Sequence, residues 1–594
     1  MKIVIVGGVA AGMSAATRLR RLAEDAEIVV LEAGDHVSYA NCGLPYYAGG
    51  VIEDRDALLL QTPESLASRF RLDVRVQHRV TGVDAVAHKL TVQDLVTGGE
   101  YAEPYDSLVL SPGARPVVPP VPGIERALVL RDVADADRLV AAIDGTVDGT
   151  VDGVRGGVPA RTAVVIGGGF VGLEVVENLV RRGLAVTLVE LADQVLAPLD
   201  PELAVRVRDE LEANGVDVRT STQVAAITPT TALLADVAGG RHEVSADLVV
   251  AAIGVRPDVD LAVLAGADLG PRGGILVDED LRTSVPDVFA VGDAATKRDA
   301  LAAPGEPEPP TLIPLANLAN RHGRHVADVI LGRTGMRPAV GTAVVGVFGV
   351  TAASVGRSEK RLRAEGRRYR AIHTHPSQHA GYYPGASPLA LKLLVDPDTD
   401  LILGAQAVGH DGVDKRIDVL ATAMAGGLTA SDLADLELAY APAYGSAKDP
   451  VNMLGYVADN LRTGHTRSVQ WHELDDLVRE GATLVDVRTP AEHARGTVEI
   501  TAGSSPSRAL NVPLDELRAR AHEEIPPGTP VVVHCQVGQR GHTAARLLAQ
   551  LGYDVRNLDG GYRTWRDGMH AMTAPARGTG EARQGPRNYA KGTR

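Results

Sequence analysis

The stretch "KIVIVGGVAAGMSAATRLRRL" (2–22) reads as an apolar strand, a glycine turn and an amphipathic helix. The next strand, "EIVVLE" (27–32), ends on Glu32. The same design returns in "TAVVIGGGFVGLEVVENLVRRG" (162–183), followed by "AVTLVE" (185–190), which ends on Glu190. Glycines at such a strand-to-helix turn bring backbone amides close to a pyrophosphate at a helix N-terminus. The second turn is regular, with Gly167, Gly169 and Gly172; the first has Gly7 and Gly12 but Val9 in the middle position. One glycine turn is weak evidence, and two with matching acidic ends predict two dinucleotide-binding βαβ units. Glu32 and Glu190 can each accept a ribose hydroxyl, and a carboxylate there repels a 2′-phosphate. No cation follows Glu190 closely in "ELADQ", so the reading favours NADH over NADPH.

At 594 residues the chain is long enough for several domains. Hydrophobic residues make up 45% and aromatics only 3%, so Ala, Val and Leu must fill the cores. The net charge of −15 argues against nucleic acid or an acidic membrane as partner. "MKIVIVGG" carries no secretory or transit character, and no apolar run is long enough to cross a bilayer. The expectation is a cytoplasmic protein whose two cysteines, Cys42 and Cys535, are reactive or buried rather than paired. No metal site is expected.

Further along, "LVLSPGARPVVPPVPG" (108–123) and "LVVAAIGVRPD" (248–258) look like crossovers, and "TSVPDVFAVGDAA" (283–295) is a strand ending at Gly292-Asp293. The Gly/Asp-rich insertion 144–157 reads as an exposed loop without chemistry, and a Pro/Glu-rich loop spans 303–310. Mixed α/β patterning with two tyrosine-rich loops, "HAGYYPGAS" and "AYAPAYGSAKDP", fills about 340–460. A separate unit follows over 466–575, and the Gly/Arg-rich end is expected to be disordered.

Taken together, the glycine turns, "SPGARP" and "TSVPDVFAVGDAA" resemble the FAD-dependent pyridine nucleotide–disulfide oxidoreductases over residues 1–460. "VSYANCGLPYY" (37–47) has a lone Cys42 where two-cysteine members carry a CxxxxC pair, and it resembles the single-cysteine branch of coenzyme A-disulfide reductases. The C-terminal unit, with "LVDVRTPAEHARG" and the loop "CQVGQR", resembles a rhodanese domain, although "GTVEITAGSSPSRALNVPL" replaces the usual short passage between them. The implied fold class is α/β: two Rossmann-like dinucleotide-binding domains, an α+β dimerisation domain and a C-terminal α/β rhodanese domain. The implied boundaries are 1–113 with 283–335 for FAD, 114–282 for NAD(P)H, 336–462 for dimerisation, 466–575 for rhodanese and 576–594 for the tail.

The resemblance implies FAD held by Gly7, Gly12, Glu32, Gly292 and Asp293, with Asp293 on the ribityl chain. It places NAD(P)H on Gly167, Gly169, Gly172 and Glu190. Cys42 is expected near a helix start whose amides lower its pKa, where it forms a mixed disulfide with bound CoA. Ser14, Arg18 and Arg21 share one helix face by their spacing. By resemblance they contact CoA together with Ser38, Asn41 and Lys448. Tyr382, Tyr383 and Tyr440 are candidates to reach Cys42 from the second subunit of a homodimer and donate to a leaving thiolate. Backbone amides of the "CQVGQR" loop, with Arg540, would cradle Cys535 as it carries a sulfane sulfur. The implied substrates are CoA disulfide, CoA persulfide or polysulfide. Two competing readings are an NADH oxidase or peroxidase using a cysteine sulfenic acid, and a sulfur sensor or carrier with structural FAD. Ala10 stands where the peroxidase relatives carry a His, which argues against the first.

Overall fold

The structure is a computed structural model that describes residues 1–146, 150–151, 154–155, 157–302, 310–502 and 505–573. It divides into two compact units, 1–189 with 222–339, and 190–221 with the chain from 340 onward.

In the first unit, Lys2–Val6 lies at the centre of a five-stranded sheet. Glu27–Leu31 and Ser107–Leu110 flank it, and Asp73–Arg75 and Val288–Ala290 form the edges, all parallel. Ile3, Val4 and Ile5 are fully buried, as expected where helices or a second layer cover both faces of a parallel sheet. Gly7 sits at φ +103°, and a Cβ there would fall 2.1 Å from the Ser111 carbonyl oxygen. A Cβ on Gly12 would fall 1.9 Å from the carbonyl oxygen of Gly7. The second turn repeats this to the same distance: Gly167 sits at φ +108°, and a Cβ on Gly172 would meet the Gly167 oxygen at 1.9 Å. Its strand Thr162–Ile166 pairs in parallel with Ala185–Val189 and Leu248–Ala251. The two crossover stretches meet, Ala114–Pro116 pairing antiparallel with Val255–Pro257.

The second unit holds an antiparallel sheet in the order Ala343–Val347, Val350–Gly356, Ile402–Gly409, Ala390–Val395, Arg370–Thr374. Helices Val413–Gly426 and Pro450–Arg462 share its apolar core. Beyond it, a parallel sheet runs Ser468–Val469, Val555–Leu558, Val531–His534, Thr483–Asp486, Leu510–Asn511. Helix Pro201–Ala213 belongs to this unit as well. The passage that replaces the short rhodanese connection contains an antiparallel hairpin, Glu499–Ala502 with Ser505–Arg508.

Within the 144–157 insertion, read as an exposed loop without chemistry, Thr150–Val151 pairs antiparallel with Val154–Arg155, and residues 147–149, 152–153 and 156 lie outside the described residues. Most of the Pro/Glu loop and the terminal segment 576–594 lie outside the described residues. No described helix is long and apolar enough to cross a membrane.

Candidate active site

The first glycine turn opens onto a cavity of 580 Å³ lined by Gly7, Val9, Glu32, Asn41, Gly292 and Asp293 among others. Glu32 accepts the N–H of Gly8 at 2.7 Å and of Gly34 at 2.8 Å, one on each oxygen, so it is held rigid with lone pairs left for a sugar hydroxyl. Gly292, at φ +74°, opens the short turn Gly292–Ala294 and lies where a Cβ would come 3.2 Å from Ala11. Lys297, absent from the sequence reading, is buried beneath that turn and donates to the carbonyls of Gly292 (2.6 Å) and Ala295 (2.8 Å). Burial pulls its pKa down to about 8, against the pull of Asp293. A Cβ on Gly169 would meet nothing within 4 Å, leaving room above the second turn. Glu190, at the start of the second unit, accepts the N–H of Ala192 at 2.8 Å.

Cys42 is exposed and free, in the 3₁₀ turn Asn41–Gly43 that leads into helix Leu44–Ala48. Its Sγ lies 3.9 Å from the Asn41 side-chain oxygen. The helix is fed by residues far away in sequence: Tyr46 donates to Glu174 at 3.1 Å, Tyr47 to Asp137 at 3.3 Å, and Arg182 to the Ala48 carbonyl at 2.9 Å. This changes the expected electrostatics. Burial of the sulfur, together with the carboxylates of Glu174 and Asp293, pushes the Cys42 thiol up rather than down.

The proposed CoA contacts divide. Ser14 donates to Asn320 at 2.5 Å, and the Arg18 guanidinium is paired with Asp328 at 2.8 Å. Arg21 is exposed on the same helix, and Ser38 takes a left-handed φ of 49°. In the second unit Lys448 is exposed, and the Tyr382 and Tyr440 hydroxyls meet at 2.9 Å. Tyr382 is 76% exposed and Tyr440 48%, while Tyr383 packs edge-on against His379.

Cys535 ends strand Val531–His534 and is fully buried, four residues ahead of helix Gln539–Gln550. Among the described residues, the amides of Gln536, Val537 and Gly538 donate to no protein acceptor. Three unpartnered N–H groups beside one sulfur form a nest for an anion. Arg540 grips Glu492 through two bonds of 2.6 and 2.8 Å, and this pairing holds the Glu492 carboxyl down at about 2. Buried Arg488 binds Asp486 and Gln536, and its guanidinium lies 4.5 Å above the Tyr562 ring. Glu492, Arg488 and Tyr562 were not singled out from the sequence, although the first two lie inside the "LVDVRTPAEHARG" motif. Among the described residues no group of His, Cys, Asp and Glu could hold a metal ion.

The pyridine nucleotide-disulphide oxidoreductase model matches residues 1–323, its dimerisation domain 342–449, and a rhodanese-like domain 470–567. The chain belongs to the pyridine nucleotide-disulphide oxidoreductase family. It is 35% identical to a coenzyme A disulfide reductase of Staphylococcus aureus over 461 residues, 77% of this chain and 99% of that one. The crystal structure of reduced Bacillus anthracis CoADR-RHD superposes with a TM-score of 0.89 at 45% identity, covering 96% of this chain and 98% of that one. A NAD-dependent persulfide reductase from A. fulgidus superposes at 0.83 with 35% identity, covering 95% and 100%.

Proposed function

We propose that this chain reduces CoA disulfide, CoA persulfide or polysulfide with NAD(P)H through the single redox cysteine Cys42, while Cys535 delivers sulfane sulfur. The carrying observation is that Cys42, the one cysteine of the first unit, is free and exposed beside Asn41, which lines the 580 Å³ cavity. The residues fit FAD: Gly7 and Gly12 of the first turn leave no room for side chains, and Glu32 and Asp293 stand on the cavity wall. FAD bound there supplies electron transfer between NAD(P)H and a thiol.

Cys42 Sγ attacks one sulfur of CoA disulfide, forms a protein–CoA mixed disulfide and expels the second CoA as thiolate. Two electrons derived from NAD(P)H and two protons then return both partners as thiols. The raised Cys42 pKa suits a thiol that ionises only when a cation approaches. Arg21, Ser38, Asn41 and Lys448 are the residues we assign to CoA, and Ser14 and Arg18 join them only by sharing their present partners. The exposed Tyr382–Tyr440 pair supports a homodimer that covers it with the second subunit and uses a phenol as proton donor. NADH is assigned as the preferred donor on the strength of Glu190. Two free cysteines support a reducing, cytoplasmic setting.

Steady-state assays test this reading. Cys42→Ser should retain FAD and its reduction by NADH yet lose CoA-disulfide turnover; wild-type turnover in the variant would overturn it.

A further inference from the structure

The edge strand Arg370–Thr374 of the antiparallel sheet and the edge strand Ser468–Val469 of the parallel sheet flank a second cavity of 700 Å³. It lies apart from every residue assigned above. One wall carries Arg367, Arg368 and Arg370, and the other carries Arg467 and Arg556. Three of these have carboxylate neighbours: Arg367 with Asp396 at 3.7 Å, Arg368 with Asp398 at 2.9 Å, and Arg467 with Asp554. The acidic residues of the lining are already engaged, Glu359 with Lys392 at 3.2 Å and Glu473 with the Gln470 N–H at 2.8 Å.

Two cations are left over. The Nη1 of Arg370 is buried and has no hydrogen-bond partner. Arg556 makes no side-chain hydrogen bond or ion pair among the described residues. They come from opposite walls of one cavity, so a single carboxylate is a poor match and a group with several anionic oxygens is a good one. Guanidinium forks suit phosphate oxygens. The rings of Tyr369 and His472 line the same space and offer faces for a heterocycle. The volume lies within the range of small-molecule sites, about 300–1,000 Å³.

We propose that this cavity binds a diphosphate-bearing small molecule, with Arg370 and Arg556 holding its phosphates from the two sheets. The proposal does not depend on the role of Cys42. The shared chemistry is the diphosphate group, which a nucleotide or inorganic diphosphate can supply.

Isothermal titration of the FAD-loaded full chain with ADP, and separately with inorganic diphosphate at constant ionic strength, tests it. Arg370→Gln and Arg556→Gln should each weaken the diphosphate affinity by about tenfold, the scale of one lost charge-assisted contact. NADH-linked CoA-disulfide turnover should stay at the wild-type level in both, which also reports correct folding. Tighter binding of ADP than of diphosphate identifies a nucleotide ligand, and equal binding identifies the inorganic anion; both outcomes support the site. No diphosphate binding by the wild type, or unchanged affinity in both variants, would overturn it.

Discussion

His373 Nδ1 lies 2.6 Å from Asp559 Oδ2, and the same carboxylate oxygen accepts the His373 backbone N–H at 3.0 Å. The other ring nitrogen faces Glu202 Oε1 at 2.9 Å, so both ring nitrogens donate and the imidazole is a cation. One side chain thereby ties helix Pro201–Ala213, the antiparallel sheet and the segment that enters the last helix, Gly561–Thr573. That segment also supports the sulfur site, because Tyr562 donates its N–H to the Cys535 carbonyl at 2.8 Å.

Burial drives the His373 pKa down, but hydrogen bonds to Asp559 and Glu202 outweigh it and hold the group at about 9. A folded pKa above the unfolded value gives stability that is complete below about 6.5 and lost as pH rises through about 9. His373→Gln leaves the buried Asp559 carboxylate without its cation, while Glu202 keeps Lys392, a change that costs about 3–5 kcal/mol. Thermal melts should therefore show the largest gap between wild type and variant at pH 6, shrinking by pH 10. A gap that grows with pH would contradict the charge assignment.

Gly12 and Gly172 make the same approach to their turns, so their alanine variants should fail in different ways. Gly12→Ala places a methyl 1.9 Å from the Gly7 oxygen, and the purified protein should contain little FAD. Gly172→Ala repeats the collision at Gly167, and that variant should keep FAD while NADH no longer reduces it at a useful rate. Absorbance of bound flavin and anaerobic NADH titration separate the two.

The fold was readable wherever its cause is local. A glycine turn must fit within a dozen residues, so both dinucleotide units, the "CQVGQR" loop and the order of domains stand out from the sequence. The Cys42 environment was misread because burial of its sulfur, and after it the Glu174 carboxylate that Tyr46 holds from a distant helix, come from tertiary packing. Likewise, nothing in the sequence near Arg18 announces Asp328, which takes its guanidinium. The His373 network is assembled from three separated segments and gives no local pattern at all.

Cys535→Ser should abolish thiosulfate:thiol sulfurtransfer and leave NADH-linked reduction of soluble CoA disulfide nearly intact. Glu492→Gln releases Arg540 from its two-bond partner and should lower sulfurtransfer by about tenfold through misplacement of that guanidinium. Equal loss of both activities in Cys535→Ser would place that sulfur in the reductive step itself.

Glu190→Ala removes the carboxylate expected to repel a 2′-phosphate. The ratio of kcat/KM for NADH over NADPH should fall by roughly tenfold, since like-charge contacts are costly. An unchanged ratio would move cofactor choice to other residues.

The most direct test is the chemical state of Cys42 itself. The reduced holoenzyme is mixed with CoA disulfide in the absence of NADH, quenched in acid and digested, and the cysteine peptides are weighed. A CoA adduct on the Cys42 peptide that a reductant removes, with Cys535 unmodified, is the predicted result. Steady turnover with no CoA on Cys42, or a Cys42 that carries only oxygen, would contradict the account.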